Sequence, residues 1–149
     1  MEGQKSDPSA RALALAVELR VLFGKVSRRL REQAHPGDFT SAQKSVLLRL
    51  ERDGPATVTN LARAESVRPQ SLGATVAALQ SAGLVAGTPD PADGRQTILS
   101  LTDTCREMIQ ASRAAKEDWL FRMIQSKLTS GEQEELSAAV ELLKRLFDS

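Results

Sequence analysis

Two short runs hold the side chains best suited to chemistry. Arg68-Pro69-Gln70-Ser71, with Ala74 and Thr75 following, sets a guanidinium, an amide and two hydroxyls among small residues. Asp90-Pro91-Ala92-Asp93-Gly94-Arg95-Gln96 holds one guanidinium two residues from a carboxylate. Neither run is a reaction centre. No nucleophile sits beside a base in a recognisable motif, and no glycine loop is built to cradle phosphates. His35 and Cys105 are the only residues of their types, so no internal disulfide and no tetrahedral zinc site is expected. What these runs offer is hydrogen bonding. A glutamine amide can pair with both N6 and N7 of adenine in a major groove. A guanidinium meets phosphate or enters a narrow minor groove. We therefore expect no enzyme and no cofactor.

The elements around these runs must position them. Thr57 is a plausible N-cap for a short helix in which Val58, Leu61 and Ala62 face inward. Glu65-Ser66-Val67 makes the turn. Pro69 then opens a second helix at the one position where its missing N–H costs nothing. Leu72, Val76 and Leu79, spaced by four and three, form its buried stripe. Gln70, Ser71, Ala74, Thr75 and Ala78 are left on the other side, a small polar face with nothing bulky to block close approach. Gly83 suits the position just past the helix end. Gly73, inside the helix at a cost of about 1 kcal/mol, is expected to mark a tight contact. Leu84–Thr88 and Gln96–Leu101 are short enough to pair as strands, and the polar loop between them projects. Gly94 is expected to turn that loop with a positive φ, and Asp93 to hold Arg95 by a local charge-assisted hydrogen bond. Helix, turn, helix and hairpin together make a winged helix-turn-helix, the arrangement that presents a helix N-terminus to a DNA groove.

The rest of the chain reads as long helix. Residues 1–8 are polar and expected to fray. A first helix spans about Ser9–Ala34, with Leu15, Leu19, Leu22, Val26 and Leu30 in one stripe widened by Leu13, Val17 and Val21. It is either a core helix or an intermolecular one, and both can hold on different faces. Lys25, Arg28, Arg29 and Arg31 form a basic cluster near its end. The plain reading is a solvated face favoured by the helix dipole; a DNA role is the lesser one. His35-Pro36-Gly37-Asp38 breaks the helix, with His35 a helix-end or loop residue. Thr40 and Gln43 make a capping box for a helix that buries Val46, Leu47 and Leu50 and ends at Asp53-Gly54-Pro55. Thr102 can cap a fifth helix to about Ser126, with Ile109, Trp119, Met123 and Ile124 among its apolar positions. Thr129/Glu132 and Ser130/Gln133 are overlapping cap signals for a sixth, whose stripe is Leu136, Val140, Leu143 and Phe147. The expected fold is mainly α with a small β-hairpin. Residues 40–101 form the winged helix-turn-helix, and 9–34 with 103–149 form a helical dimerisation lobe from both chain ends.

Composition bounds the function. The chain has 149 residues and is 41% apolar, enough for a core built from aliphatic and small side chains, since aromatics are only 3%. No apolar run approaches bilayer-spanning length and the N-terminus lacks a signal-peptide pattern, so a cytoplasmic protein is expected. The formal charge is +1. Between Thr57 and Leu101, Arg63, Arg68 and Arg95 are matched by Glu65, Asp90 and Asp93, a sum of zero. Phosphate affinity must then come from placement, helix N-termini and dimerisation.

The motifs in sequence resemble those of the MarR family of winged helix-turn-helix regulators. The residues that carry the resemblance are Thr40 to Leu50, Leu61-Ala62, Leu79 followed by Gly83-Leu84-Val85, Asp90-Pro91 with Asp93-Gly94-Arg95, and Leu99 with Leu101-Thr102. The likeness covers nearly the whole chain. It implies a homodimer on a pseudo-palindromic DNA duplex, usually repressing nearby genes and released by a small, often aromatic, ligand or by an oxidant. The two runs themselves give Arg68, Pro69, Gln70, Ser71, Ala74, Thr75, Asp93 and Arg95 as the expected DNA-binding set. Three positions depart from the family pattern. Arg68 stands where a capping serine is common, Ala86-Gly87-Thr88 where basic residues often follow, and Cys105 where glycine is frequent. Arg95 is thus the wing's one cation. The peroxide-sensing members carry their cysteine near the first helix, so Cys105 reads as packing filler rather than a redox switch. The zero charge of the motif keeps a second reading open, a winged-helix module that binds protein instead of DNA.

Overall fold

The structure is a computed structural model and describes residues 7–34 and 39–148. The expectations placed on residues 1–6 and on His35-Pro36-Gly37-Asp38 lie outside the described residues. In chain order the elements are α1 (Pro8–Gln33), α2 (Ser41–Asp53), β1 (Ala56–Thr57), α3 (Val58–Glu65), α4 (Pro69–Ser81), β2 (Val85–Pro89), β3 (Thr97–Leu101), α5 (Asp103–Lys127) and α6 (Ser130–Phe147). They divide into two compact units, one from Met1–Ala34 and Ala114–Ser149, the other His35–Arg113.

Within the second unit, local capping fixes most boundaries. Thr40 Oγ1 accepts from Gln43 N while Gln43 Oε1 accepts from Thr40 N, the reciprocal box that starts α2. Thr57 Oγ1 accepts from Asn60 N and starts α3. The turn after α3 places Ser66 in the left-handed region at φ 55° and ψ 40°. The Ser66 and Val67 amides bond back to the Arg63 and Ala62 carbonyls, so the reversal completes itself within the helix end. Gly83, at φ 75°, does the same after α4. Gly73 is not at a tight contact as expected, because a Cβ there would meet nothing within 4 Å.

The sheet has a third strand that the hairpin pattern did not announce. Its order is β1-β3-β2, all antiparallel, with Ala56 opposite Leu99 and Val85 opposite Leu101. Leu61, Leu79, Leu99, Val46 and Cys105 are the largest side chains almost wholly withdrawn from solvent. They come from five elements and bring α2, α3, α4, β3 and the start of α5 onto one core. Thr102 ties this core to the hairpin. Its hydroxyl donates to the Gly83 carbonyl at 2.7 Å and accepts from Cys105 N at 3.1 Å.

In the other unit α1 buries no residue within the single chain, and neither does α6. Of the expected α1 stripe, Leu19, Val26 and Leu30 are half-buried, while Leu15 and Leu22 are exposed. Phe23 meets Phe147 edge to face with centroids 5.9 Å apart, and the Arg29 guanidinium lies 5.7 Å from the Trp119 ring centroid. Thr129 and Glu132 form the capping box for α6, so of the two overlapping cap signals the first is used.

Candidate nucleic-acid interface

The residues that open α4 are set by what the helix buries. Leu72, Val76 and Leu79 lie in the core, so the helical period turns Pro69, Gln70, Ser71 and Ala74 out to solvent. Thr75 is half-buried, and its hydroxyl donates to the Ser71 carbonyl at 3.4 Å. Arg68 occupies the N-cap position with extended backbone and makes no side-chain cap bond. The first-turn N–H groups of α4 therefore have no side-chain acceptor from Arg68, and Arg68 is exposed. A helix start of this kind, with free amides and a cation, suits a phosphate oxygen. Gln70 at the second helical position can present donor and acceptor to a base edge.

Asp93 and Arg95 lie at the hairpin tip, apart from the α4 set. Asp93 Oδ1 accepts from Arg95 N at 3.1 Å and stands 3.5 Å from Arg95 Nε. Gln96 N donates to the Asp93 carbonyl, and Asp90 N to the Gln96 carbonyl, both at 2.9 Å. Asp90 Oδ1 accepts from Ala92 N at 2.9 Å. The two aspartates thus shape the loop by bonding amides two residues on. This replaces the device expected of Gly94, which does not take a positive φ. Arg95 keeps 94% of its side-chain exposure, so the local ion pair orients the guanidinium without withdrawing it from solvent. Such an exposed pair contributes little to stability.

Sequence reasoning missed the contact that holds the helix-turn-helix to its scaffold. Glu65, last residue of α3, accepts from Arg49 Nε at 2.7 Å and from Ser45 Oγ at 2.7 Å. Arg49 also approaches Asp53 at 3.6 Å. An acid at a helix C-terminus opposes the helix dipole, which was the one local sign that Glu65 needed a partner. Its partners lie on another helix, beyond the reach of periodicity. The Arg49 hydrogen bond, then that of Ser45, holds the Glu65 carboxyl below the usual glutamate range, against the opposing effect of burial. With a folded pKa below the unfolded one, the stabilisation is present above the unfolded value and is lost as pH falls through the folded value. Glu65→Gln is expected to reduce stability by about 1–2 kcal/mol near neutral pH. Thermal melts of parent and variant should converge as the pH drops below about 4. A gap of constant size down to about pH 3, well under the ordinary glutamate value, would exclude the ion pair as its source.

Cys105 is wholly buried. Burial pushes its thiol above the ordinary cysteine range, so the helix N-terminus on which it sits does not make it a ready thiolate.

A helix-turn-helix carrying a two-stranded wing on a three-stranded sheet defines the winged-helix class. The MarR family profile matches residues 38–96. The chain is 33% identical to an uncharacterized HTH-type transcriptional regulator of Mycobacterium bovis, Mb0904, over 90% of this chain and 93% of the relative. A crystal structure of a protein assigned as a transcriptional regulator in Pseudomonas aeruginosa superimposes with a TM-score of 0.79 at 34% identity, over 95% of this chain and 99% of that one. A cysteine-to-serine mutant of E. coli MarR complexed with operator DNA gives a TM-score of 0.56 at 25% identity, over 95% and 99%. The chain belongs to the MarR family of helix-turn-helix transcriptional regulators.

Proposed function

We propose that this regulator is a homodimeric DNA-binding repressor acting in the cytoplasm. On this reading residues 40–101 bind a pseudo-palindromic operator, while 9–34 and 103–149 form the dimerisation region. The observation that carries it is the exposed start of α4, where Arg68, Pro69, Gln70, Ser71 and Ala74 face solvent while Leu72, Val76 and Leu79 on the opposite face are buried. Gln70, Ser71 and Thr75 are assigned to the major groove, Arg68 to phosphate, and Arg95, oriented by Asp93, to the minor groove. The family's operator-bound member supports the DNA partner. The dimer is supported by the apolar surface the chain leaves uncovered: Leu13, Val21, Leu146 and Phe147 are all more than half exposed. Repression, and release by a small aromatic ligand, rest on family membership. No described helix is long and apolar enough to cross a membrane.

Footprinting and anisotropy titration on the DNA beside its own gene test the reading. A protected duplex bound by two protomers, with log K falling linearly in log salt, is the expected result. Arg95→Ala should weaken binding, leave the melting temperature within about 1 °C because the side chain is exposed, and lower the salt slope only slightly. Asp93→Ala should give a smaller loss of the same kind. If Arg95→Ala binds as tightly as the parent at every salt concentration, the wing does not touch DNA. Absence of duplex binding by the parent would favour the protein-interaction module, for which the zero charge of residues 57–101 speaks.

A further inference from the structure

We infer that the C-terminal half of α1 is a second phosphate-binding surface of this protein, carried by Lys25, Arg28 and Arg31 and directed at the backbone of duplex DNA. The inference rests on the DNA-binding reading above and adds a surface outside the helix-turn-helix and the wing. Lys25, Arg28 and Arg31 follow one another at intervals of three, so they form a single ridge on α1. All three are exposed. Between Lys25 and Arg31 the chain has no acid and one further cation, Arg29, which lies over Trp119. None of the three joins an ion pair among the described residues. In α5 Arg122 pairs with Asp118, and in α6 Lys144 with Glu141. Like charges three apart on a helix repel, and an unbalanced ridge of one sign is an electrostatic footprint for a polyanion.

Charge placement explains why such a surface is needed. The segment that carries α4 and the wing sums to zero, yet non-specific affinity for duplex comes almost wholly from neutralised phosphates. α1 from Pro8 to Gln33 carries Arg11, Arg20, Lys25, Arg28, Arg29 and Arg31 against Glu18 and Glu32, a surplus of four (6 − 2).

The test is the full-length triple variant Lys25→Gln, Arg28→Gln, Arg31→Gln, titrated with operator and with random-sequence duplex at several salt concentrations. Every phosphate that the variant fails to neutralise should reduce the salt slope by about 0.9. A reduction equivalent to roughly one to three phosphates per protomer is expected, with affinity for both duplexes falling by similar factors and sequence preference unchanged. The charge-conserving variant Arg28→Lys, Arg31→Lys should keep the parent slope. An unaltered slope in the triple variant, with the parent binding normally, overturns the inference and leaves the operator reading intact. So does loss of binding to operator alone, which would mark a base-reading or folding defect. A parent that binds no duplex overturns both. Should the variant lose binding only to vesicles of anionic phospholipid, the ridge faces lipid and the inference fails.

Discussion

Leu79→Ala is expected to lower the unfolding free energy by about 3 kcal/mol. Leu79 is 1% exposed, on the buried stripe of α4 and in the core that includes Leu61 and Leu99. Truncation removes the transfer free energy of the missing carbons and leaves a cavity, because α3, α4 and the sheet cannot all close on the gap. Leucine truncations in such sites cost about 2–5 kcal/mol. A domain of this size is stable by only about 5–15 kcal/mol, so a large share of the unit's stability rests on this one side chain. The melting temperature should fall by about 6–12 °C. Urea unfolding followed by circular dichroism measures the loss. A change under about 0.5 kcal/mol, the range of ordinary surface substitutions, would show that α4 is not seated on this core. DNA binding should weaken as well, since the same stripe fixes which face of α4 looks outward.

The second large effect is on specificity. Gln70→Ala should cost about 1–3 kcal/mol at one matched base and relax the preference there. Gln70 is exposed, at the second position of α4, and the stripe of Leu72, Val76 and Leu79 turns it away from the core. Its amide makes none of the side-chain hydrogen bonds found among the described residues, so the substitution should leave folding unaltered. Binding-site selection with parent and variant reads the outcome as the base distribution at each position. A distribution unchanged at every position would reject Gln70 as a base-reading residue and leave it a solvated polar one. Loss of affinity spread evenly over all sequences would assign it to phosphate instead.

What the sequence determined alone was mostly what has a short-range cause. The caps at Thr40, Thr57, Thr102 and Thr129 act within three residues, and each is used as its spacing requires. Pro69 and the stripe of α4 follow from ring geometry and the helical period, and these give the helix-turn-helix and its outward face. The hairpin strands were placed to within a residue, because turn residues punctuate apolar runs. Tertiary structure decided what depends on distant partners. β1 is two residues long and exists only because Ala56 and Thr57 find Leu99 and Ile98 across the sheet. Glu65 is held by Ser45 and Arg49, 20 and 16 residues away, and no periodicity reports such a meeting. One short-range device also differs from expectation: Gly94 was expected to turn the wing by its own freedom, but side-chain bonds from Asp90 and Asp93 to amides two residues on turn it instead. For Cys105, burial pushes the thiol pKa up while a helix start would draw it down. Burial wins because the core packed around it excludes the water a thiolate needs. Local chemistry thus named the elements, and the arrangement of those elements decided which side chains are paired, buried or left free to meet a partner.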